Sequence, residues 1–184
     1  AQYIAGAAFH DYGGDRSELL NVHNANPDKE LVFSESSIGT WNSGRDLTKR
    51  LVEDMRNITI GTVNNWCRGA IVWNLMLDND RSPYREGGCS TCYGAVDINN
   101  RDYKTITLNS HYYIMAHMGA VVKPGAVRIG TSGYTDSNMA YAAFENTDGT
   151  IAFVLANNNE KSKLITVTIG EKHFAYEAPG KSVA

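Results

Sequence analysis

Glu30-Leu-Val-Phe-Ser-Glu35 is a short apolar run that ends in a carboxylate. It reads as a strand whose chain turns polar at its C-terminal end. The same design recurs on either side of it. Ile4 to His10 is small and apolar, then gives way to His10 and Asp11. Gly69-Ala-Ile-Val-Trp-Asn74 is apolar up to its final residues. Between the second and third runs, Arg45 to Trp66 carries Leu47, Leu51, Val52, Met55, Ile58 and Val63. That spacing mixes threes, fours and fives and averages to one helical face. Asn109 to Met118 reads as another helix, capped by Asn109 or Ser110. Fully apolar strands separated by helices mark a parallel sheet buried on both faces.

Three such strands precede residue 120. A (β/α)8 TIM barrel needs eight and roughly 250 residues. Residues 1–121 are therefore expected to be the C-terminal part of such a barrel, about strands 6–8. Beyond Pro124 the pattern becomes short and strand-like, at Val127 to Tyr134, Met139 to Asn146, Thr150 to Asn157, Leu164 to Ile169 and Lys172 to Glu177. Asp148-Gly149 is a strong hairpin signal. The expectation for residues 122–184 is an antiparallel β-sandwich, with the boundary within Val121 to Gly125. Fold class is thus α/β plus all-β. Both ends read as cut. The chain enters a strand-like run without a preceding turn, and Gly180 to Ala184 stops inside another. Both domains are expected to be incomplete.

At 184 residues and 42% hydrophobic content, there is material for one cored domain or pieces of two. The net charge of -3 and the lack of clustered Lys and Arg argue against a nucleic-acid partner. No apolar run approaches the roughly 18 residues of a membrane span, and the first residues lack the basic n-region of a signal peptide. Cys89 and Cys92 form a C-x-x-C within a Gly-rich loop. A zinc site needs two more ligands, and a redox motif needs a helix start; the sequence offers neither. A disulfide tying the loop is the favoured reading, a pair of free thiols the alternative. Cys67 reads as a small buried hydrophobe.

Active sites of parallel barrels lie at the C-terminal strand ends. Those ends here are Phe9-His10-Asp11-Tyr12, Phe33-Ser34-Glu35-Ser36 and Val72-Trp73-Asn74. A carboxylate, an imidazole, a phenol and an indole would meet in one cleft. The set suits carbohydrate, because an indole face packs on sugar C–H groups while polar side chains bind the hydroxyls. A carboxylate at the cleft floor can attack an anomeric carbon.

Phe33-Ser-Glu-Ser36, Ile71-Val-Trp-Asn-Leu-Met-Leu77 and the stretch from Gly87 to Ile98 resemble glycoside hydrolase family 30, the glucosylceramidase and β-1,6-glucanase group. Ser110-His-Tyr-Tyr113 and Val122 to Ile129 are similar to the segment leading from that family's barrel into its sandwich. The resemblance implies a retaining β-glycosidase acting on β-1,6-glucan or a glucosylceramide-type substrate, with Glu35 as nucleophile and no metal or organic cofactor. His10 and Tyr12 match the family's His-x-Tyr on the sixth barrel strand. Trp73 and Asn74 match its eighth-strand Trp-Asn at the innermost sugar. The family's acid/base, a Glu after an Asn on strand four, has no counterpart here, so the missing N-terminal part of the barrel, in the same or a separate chain, is an implied partner. Family habit and the possible disulfide lean towards an extracytoplasmic location.

Each reading has a plainer rival. Glu35 would otherwise cap a helix or pair with a surface Lys, Trp73 would pack in a core, and Asn74 would form a turn. His10 would be a satisfied structural histidine. Trp41 lines an outer sugar subsite or covers the barrel top. Asp78, Asp80 and Arg81 select substrate or form a solvated loop. Asn159-Glu160 has the acid's dipeptide but lies in a polar turn and is dismissed. His111 and His117 are expected on an outer helix, outside the chemistry. The chain alone is expected to be a poor enzyme, and a non-catalytic carbohydrate-binding or structural fragment is the alternative.

Overall fold

The computed structural model describes residues 2–133 and 136–184. Strand β1 (Gly6–His10) leads through helix α1 (Glu18–Ala25) to β2 (Glu30–Glu35). After the two-residue β3 (Ile38–Gly39), helix α2 (Leu47–Asp54), a π-helical turn at Met55–Ile60 and α3 (Gly61–Asn64) follow one another up to β4 (Cys67–Ala70). β1, β2 and β4 form a parallel sheet in that order. This is the expected strand–helix alternation. The sheet has three strands among the described residues.

The helix over 47–64 forms where the apolar spacing places it. Asp46 starts it, its side chain accepting from the Thr48 N–H at 3.1 Å. The irregular gap between Ile58 and Val63 coincides with the π-helical turn, whose wider winding offsets later side chains. Met55, Ile58 and Ile60 point inwards against Leu31 and Phe33 of β2. Full burial of such side chains contributes on the order of 2 kcal/mol each.

The third strand departs from expectation. β4 is Cys67–Ala70, and the run to Asn74 leaves regular pairing after Ala70. It still follows β2, because the Ile71 N–H donates to the Phe33 carbonyl and the Trp73 N–H to the Ser36 carbonyl, both at 2.8 Å. The Trp73–Asn74 peptide is cis. Next come β5 (Met76–Asp78), β6 (Cys92–Tyr93), β7 (Val96–Ile98) and β8 (Ile106–Leu108). β5, β7 and β8 make a small mixed sheet, while β6 pairs antiparallel with β3. Helix α4 is Ser110–Val121. Asn109 occupies its cap position without capping it. The Asn109 amide donates instead to the Gly94 carbonyl and to Asp97, both at 2.9 Å. The Ser110 hydroxyl donates to Asp54 at 2.5 Å and ties α4 to α2.

The remainder is antiparallel: β9 (Val127–Ile129), β10 (Met139–Glu145), β11 (Ile151–Asn157), β12 (Lys163–Ile169), β13 (Lys172–Ala178) and β14 (Ser182–Val183). β9 is shorter than the expected run from Val127, since only 127–129 find partners on β10. Tyr134, the end of that run, lies outside the described residues. The β10–β11 hairpin turns at Asp148-Gly149, with Gly149 at φ 78° and its N–H donating to the Asn146 carbonyl at 2.9 Å. A non-glycine side chain would be strained there. The sheet order is β14-β11-β10-β9. Ala142, Phe144, Ala152, Val154 and Ala156 on one face pack into the core of β2, the helices and Ile114 of α4. Met139 and Leu155 on the other face meet Ala178 of β13 and Ile165 of β12. Strand alternation sends successive side chains to these two layers.

Candidate active site

A register irregularity builds the centre of the site. β1 pairs with β2 residue for residue up to Phe9 and Phe33, then His10 falls opposite Glu35 and Ser34 is skipped. Such bulges re-aim side chains at strand ends. Glu35 Oε1 accepts from the Tyr12 hydroxyl at 2.8 Å, and His10 Nδ1 lies 3.8 Å from the same oxygen. The Tyr12 oxygen is also 2.6 Å from Ser37 Oγ. With its own proton on Glu35, Tyr12 accepts from Ser37. His10 and Tyr12 meet edge to face at 5.7 Å. Partial burial raises the Tyr12 pKa above the usual phenol value, and the Glu35 and Asp11 charges act in the same direction against the lowering effect of Ser37. Tyr12 therefore keeps its proton to donate. The Glu35 side chain is 30% exposed, and among the described residues no hydrogen bond reaches its Oε2.

Trp73 is held beside this centre by backbone. Its N–H bonds the Ser36 carbonyl, and it bridges in parallel to Ser37. Trp73 remains 45% exposed, which leaves part of the residue accessible to a ligand. The Asn74 carbonyl accepts from the Ala95 N–H at 2.8 Å. Its side-chain oxygen is buried and reaches no donor among the described residues.

Behind Ala95 stands a fully engaged carboxylate. Asp97 is 2% exposed and accepts from Arg45 Nε at 3.0 Å, the Asn109 amide at 2.9 Å and the Gly94 N–H at 3.0 Å. The Arg45 guanidinium also lies over the Tyr93 ring at 4.1 Å. This cluster fixes the 93–97 segment, and that segment fixes Asn74.

Trp41 sits on a short turn after β3 and is 55% exposed. It makes no hydrogen bond or ring contact with Glu35, His10 or Tyr12 among the described residues. Its place is set by Gly39: a Cβ there would lie 2.0 Å from the Trp41 ring. The Asn42 amide group spans the turn, accepting from the Gly39 N–H at 3.0 Å and donating to the Ser37 carbonyl at 3.2 Å. β3 in turn pairs with β6, whose Cys92 forms a disulfide with Cys89.

Glu35, His10, Tyr12 and the Trp73 backbone thus converge; Asn74 follows Trp73 in the chain and is held by Ala95, and Trp41 is not brought into contact with the group among the described residues. Ser37, Asn42 and the Ser36–Asp11 hydrogen bond at 2.8 Å escape sequence reading. A serine or asparagine near a strand end carries no signal that separates it from a turn former. Asp78, Asp80 and Arg81 form a hydrogen-bonded loop, with Asn100 donating to both carboxylates and Arg81 to the Ser90 carbonyl. Glu160 pairs with Lys181 in the sandwich at 3.1 Å. His111 is fully buried on α4, where burial pushes its pKa down to about 4. Cys67 is buried, and its thiol is pushed up to about 11. Among the described residues no group of three or more His, Cys, Asp or Glu is placed to hold a metal ion, and no helix is long and apolar enough to cross a membrane.

Comparison with known proteins places these features. Residues 125–184 match the glycosyl hydrolase family 30 beta sandwich domain. The endo-1,6-beta-D-glucanase neg1 of Aspergillus fumigatus is 34% identical, the alignment covering 99% of this chain and 37% of that protein. The putative glucosylceramidase 2 of Caenorhabditis elegans is 31% identical over 86% of this chain and 31% of its own length. A solved endo-beta1,6-glucanase matches with a TM-score of 0.96 at 73% identity, covering 99% of this chain and 40% of that one. SrfJ from Salmonella typhimurium matches with a TM-score of 0.88 at 27% identity and the same coverage. The chain spans well under half the length of each of these proteins.

Proposed function

We propose that this chain carries the nucleophile of a retaining β-glycosidase, because residues 125–184 match the family 30 beta sandwich domain and the whole chain aligns with part of an endo-beta1,6-glucanase. The observation that carries this reading is Glu35 at the end of β2, with one oxygen held by Tyr12 and the other unengaged, while the neighbouring Ser36 carbonyl holds the backbone of the half-exposed Trp73. Strands β1, β2 and β4 are, on this reading, the last three of a (β/α)8 barrel.

Catalysis then runs in two steps. Glu35 bonds to the anomeric carbon as the glycosidic C–O bond breaks and an acid protonates the leaving oxygen. Water next attacks the same carbon, releases Glu35 and gives its proton to that acid, now a base. The acid belongs to a part of the barrel outside these 184 residues, about 5–5.5 Å from Glu35, as retention requires. Tyr12 orients the nucleophile and Trp73 stacks the innermost sugar. General acid help is worth roughly 10²–10⁴-fold, so the 184-residue chain alone is expected to turn over poorly.

The preferred substrate is a β-1,6-linked glucan, supported by the likeness to an endo-beta1,6-glucanase at 73% identity. The Cys89–Cys92 disulfide supports an extracytoplasmic location, to be checked by fractionating cells that express the parent. A fluorinated glucoside applied to the full-length parent should leave its covalent label on Glu35. A label elsewhere, or none despite turnover, would overturn the assignment. Release of oligosaccharides from β-1,6-glucan, with glucosylceramide left intact, is the expected product pattern.

A further inference from the structure

Away from Glu35, three arginines from separate elements line a cleft of about 540 Å³ between the helices and the four-stranded sheet. Arg16 precedes α1, Arg56 sits on the π-helical turn and Arg128 lies on β9. Each is positioned by a neutral partner. Arg16 donates to Asn57 Oδ1 at 2.6 Å and Arg56 to the Ser137 carbonyl at 2.5 Å. The Arg128 guanidinium lies 5.6 Å from the Trp66 ring centre, and that ring stacks on His23 at 3.9 Å. Among the described residues none of the three is ion-paired to a carboxylate. The carboxylate in the wall, Asp136, is engaged by Lys163 at 3.6 Å and by the Asn159 amide at 3.2 Å.

Three like charges gathered in one cleft repel one another, and a cleft concentrates their field on whatever enters it. Local sequence enforces the gathering. A Cβ on Gly61 would lie 2.4 Å from Arg16 Cδ and 2.7 Å from its Nε. The glycine gives the Arg16 side chain its path across the helix. The buried Nε of Arg56 reaches no acceptor among the described residues. Guanidinium forks match the oxygens of an oxyanion in paired hydrogen bonds, which a spherical chloride cannot reproduce.

We propose that this cleft binds a tetrahedral oxyanion, phosphate or sulfate, either free or carried as an ester on a sugar. The proposal is independent of the catalytic reading, since calorimetry on the full-length parent reads binding without turnover. Sodium phosphate, sodium sulfate and glucose 6-phosphate would be titrated at low salt against sodium chloride of equal ionic strength. Saturable binding beyond the chloride control is expected, weakened at least about tenfold by Arg16→Gln or Arg128→Gln. Gly61→Ala keeps every charge but crowds Arg16 and, at 2.5 Å, the Arg56 carbonyl, and in folded protein should weaken binding likewise. Tighter binding of glucose 6-phosphate would assign the sugar ester as ligand, and equal or weaker binding the free anion. No binding beyond chloride, or binding unchanged in folded Arg16→Gln and Arg128→Gln proteins, would overturn the proposal.

Discussion

Glu35 and Asp97 are carboxylates of opposite kinds, one at the end of β2 in the parallel sheet and the other on β7 of the small mixed sheet. Asp97 is buried, and both its oxygens are occupied by N–H donors from Arg45, Asn109 and Gly94. Glu35 is partly open, with one oxygen engaged by Tyr12 and the other unengaged. A saturated carboxylate has no lone pair left for chemistry and serves as a fastener. An under-satisfied, partly exposed one keeps lone pairs free. The surroundings of a carboxylate, more than its residue type, separate the two.

Four substitutions or conditions test that division, in falling order of effect. On the proposed mechanism, Glu35→Gln in the full-length parent should lower kcat on the order of 10³-fold or more. It should leave stability within about 0.5 kcal/mol by urea unfolding; a large stability loss would make Glu35 a fastener too. Asp97→Ala should do the reverse, removing about 3 kcal/mol of stability, because the Asn109 amide and the Gly94 N–H are left buried without their acceptor.

His111 extends the test to pH. Its folded-state pKa is about 4, against 6.5 for the ordinary group. Between those values the unfolded chain binds a proton that the folded chain refuses, so stability falls as pH drops through that window. The full loss is about 3 kcal/mol. Asp54, whose pKa is raised by burial despite Arg50, offsets part of this at the acid end. Thermal melts from pH 7 to 4 should therefore flatten in His111→Gln. The smallest effect is expected from Tyr12→Phe, about tenfold in kcat, near the value of one hydrogen bond to a charged group. An unchanged kcat would remove Tyr12 from the site.

The sequence foretold the elements whose cause is local. Glu30–Glu35 is a strand with the expected bounds, and the Asp148-Gly149 turn is where the dipeptide places it. What stayed illegible depends on distant partners. Asn109 looks like a cap, but Gly94 and Asp97 take its amide. The Gly69–Asn74 run is apolar enough for a strand, yet it loses regular pairing after Ala70. β5, β7 and β8 owe their pairing to one another, and β6 owes its pairing to β3, rather than to local pattern, so nothing in residues 75–108 announced them. The grouping of Glu35, His10, Tyr12 and the Trp73 backbone was legible from strand-end position. Ser37 and Asn42 were not, because their roles arise only once the bulge and the 39–42 turn exist.

One face of the antiparallel sheet shares its core with the helices, through Phe144 and Val154 against Met55 and Ile114. The change of pattern near Pro124 therefore divides the sequence and not the heat of melting. Neither portion can open without exposing the apolar side of the other, so differential scanning calorimetry should record one cooperative endotherm.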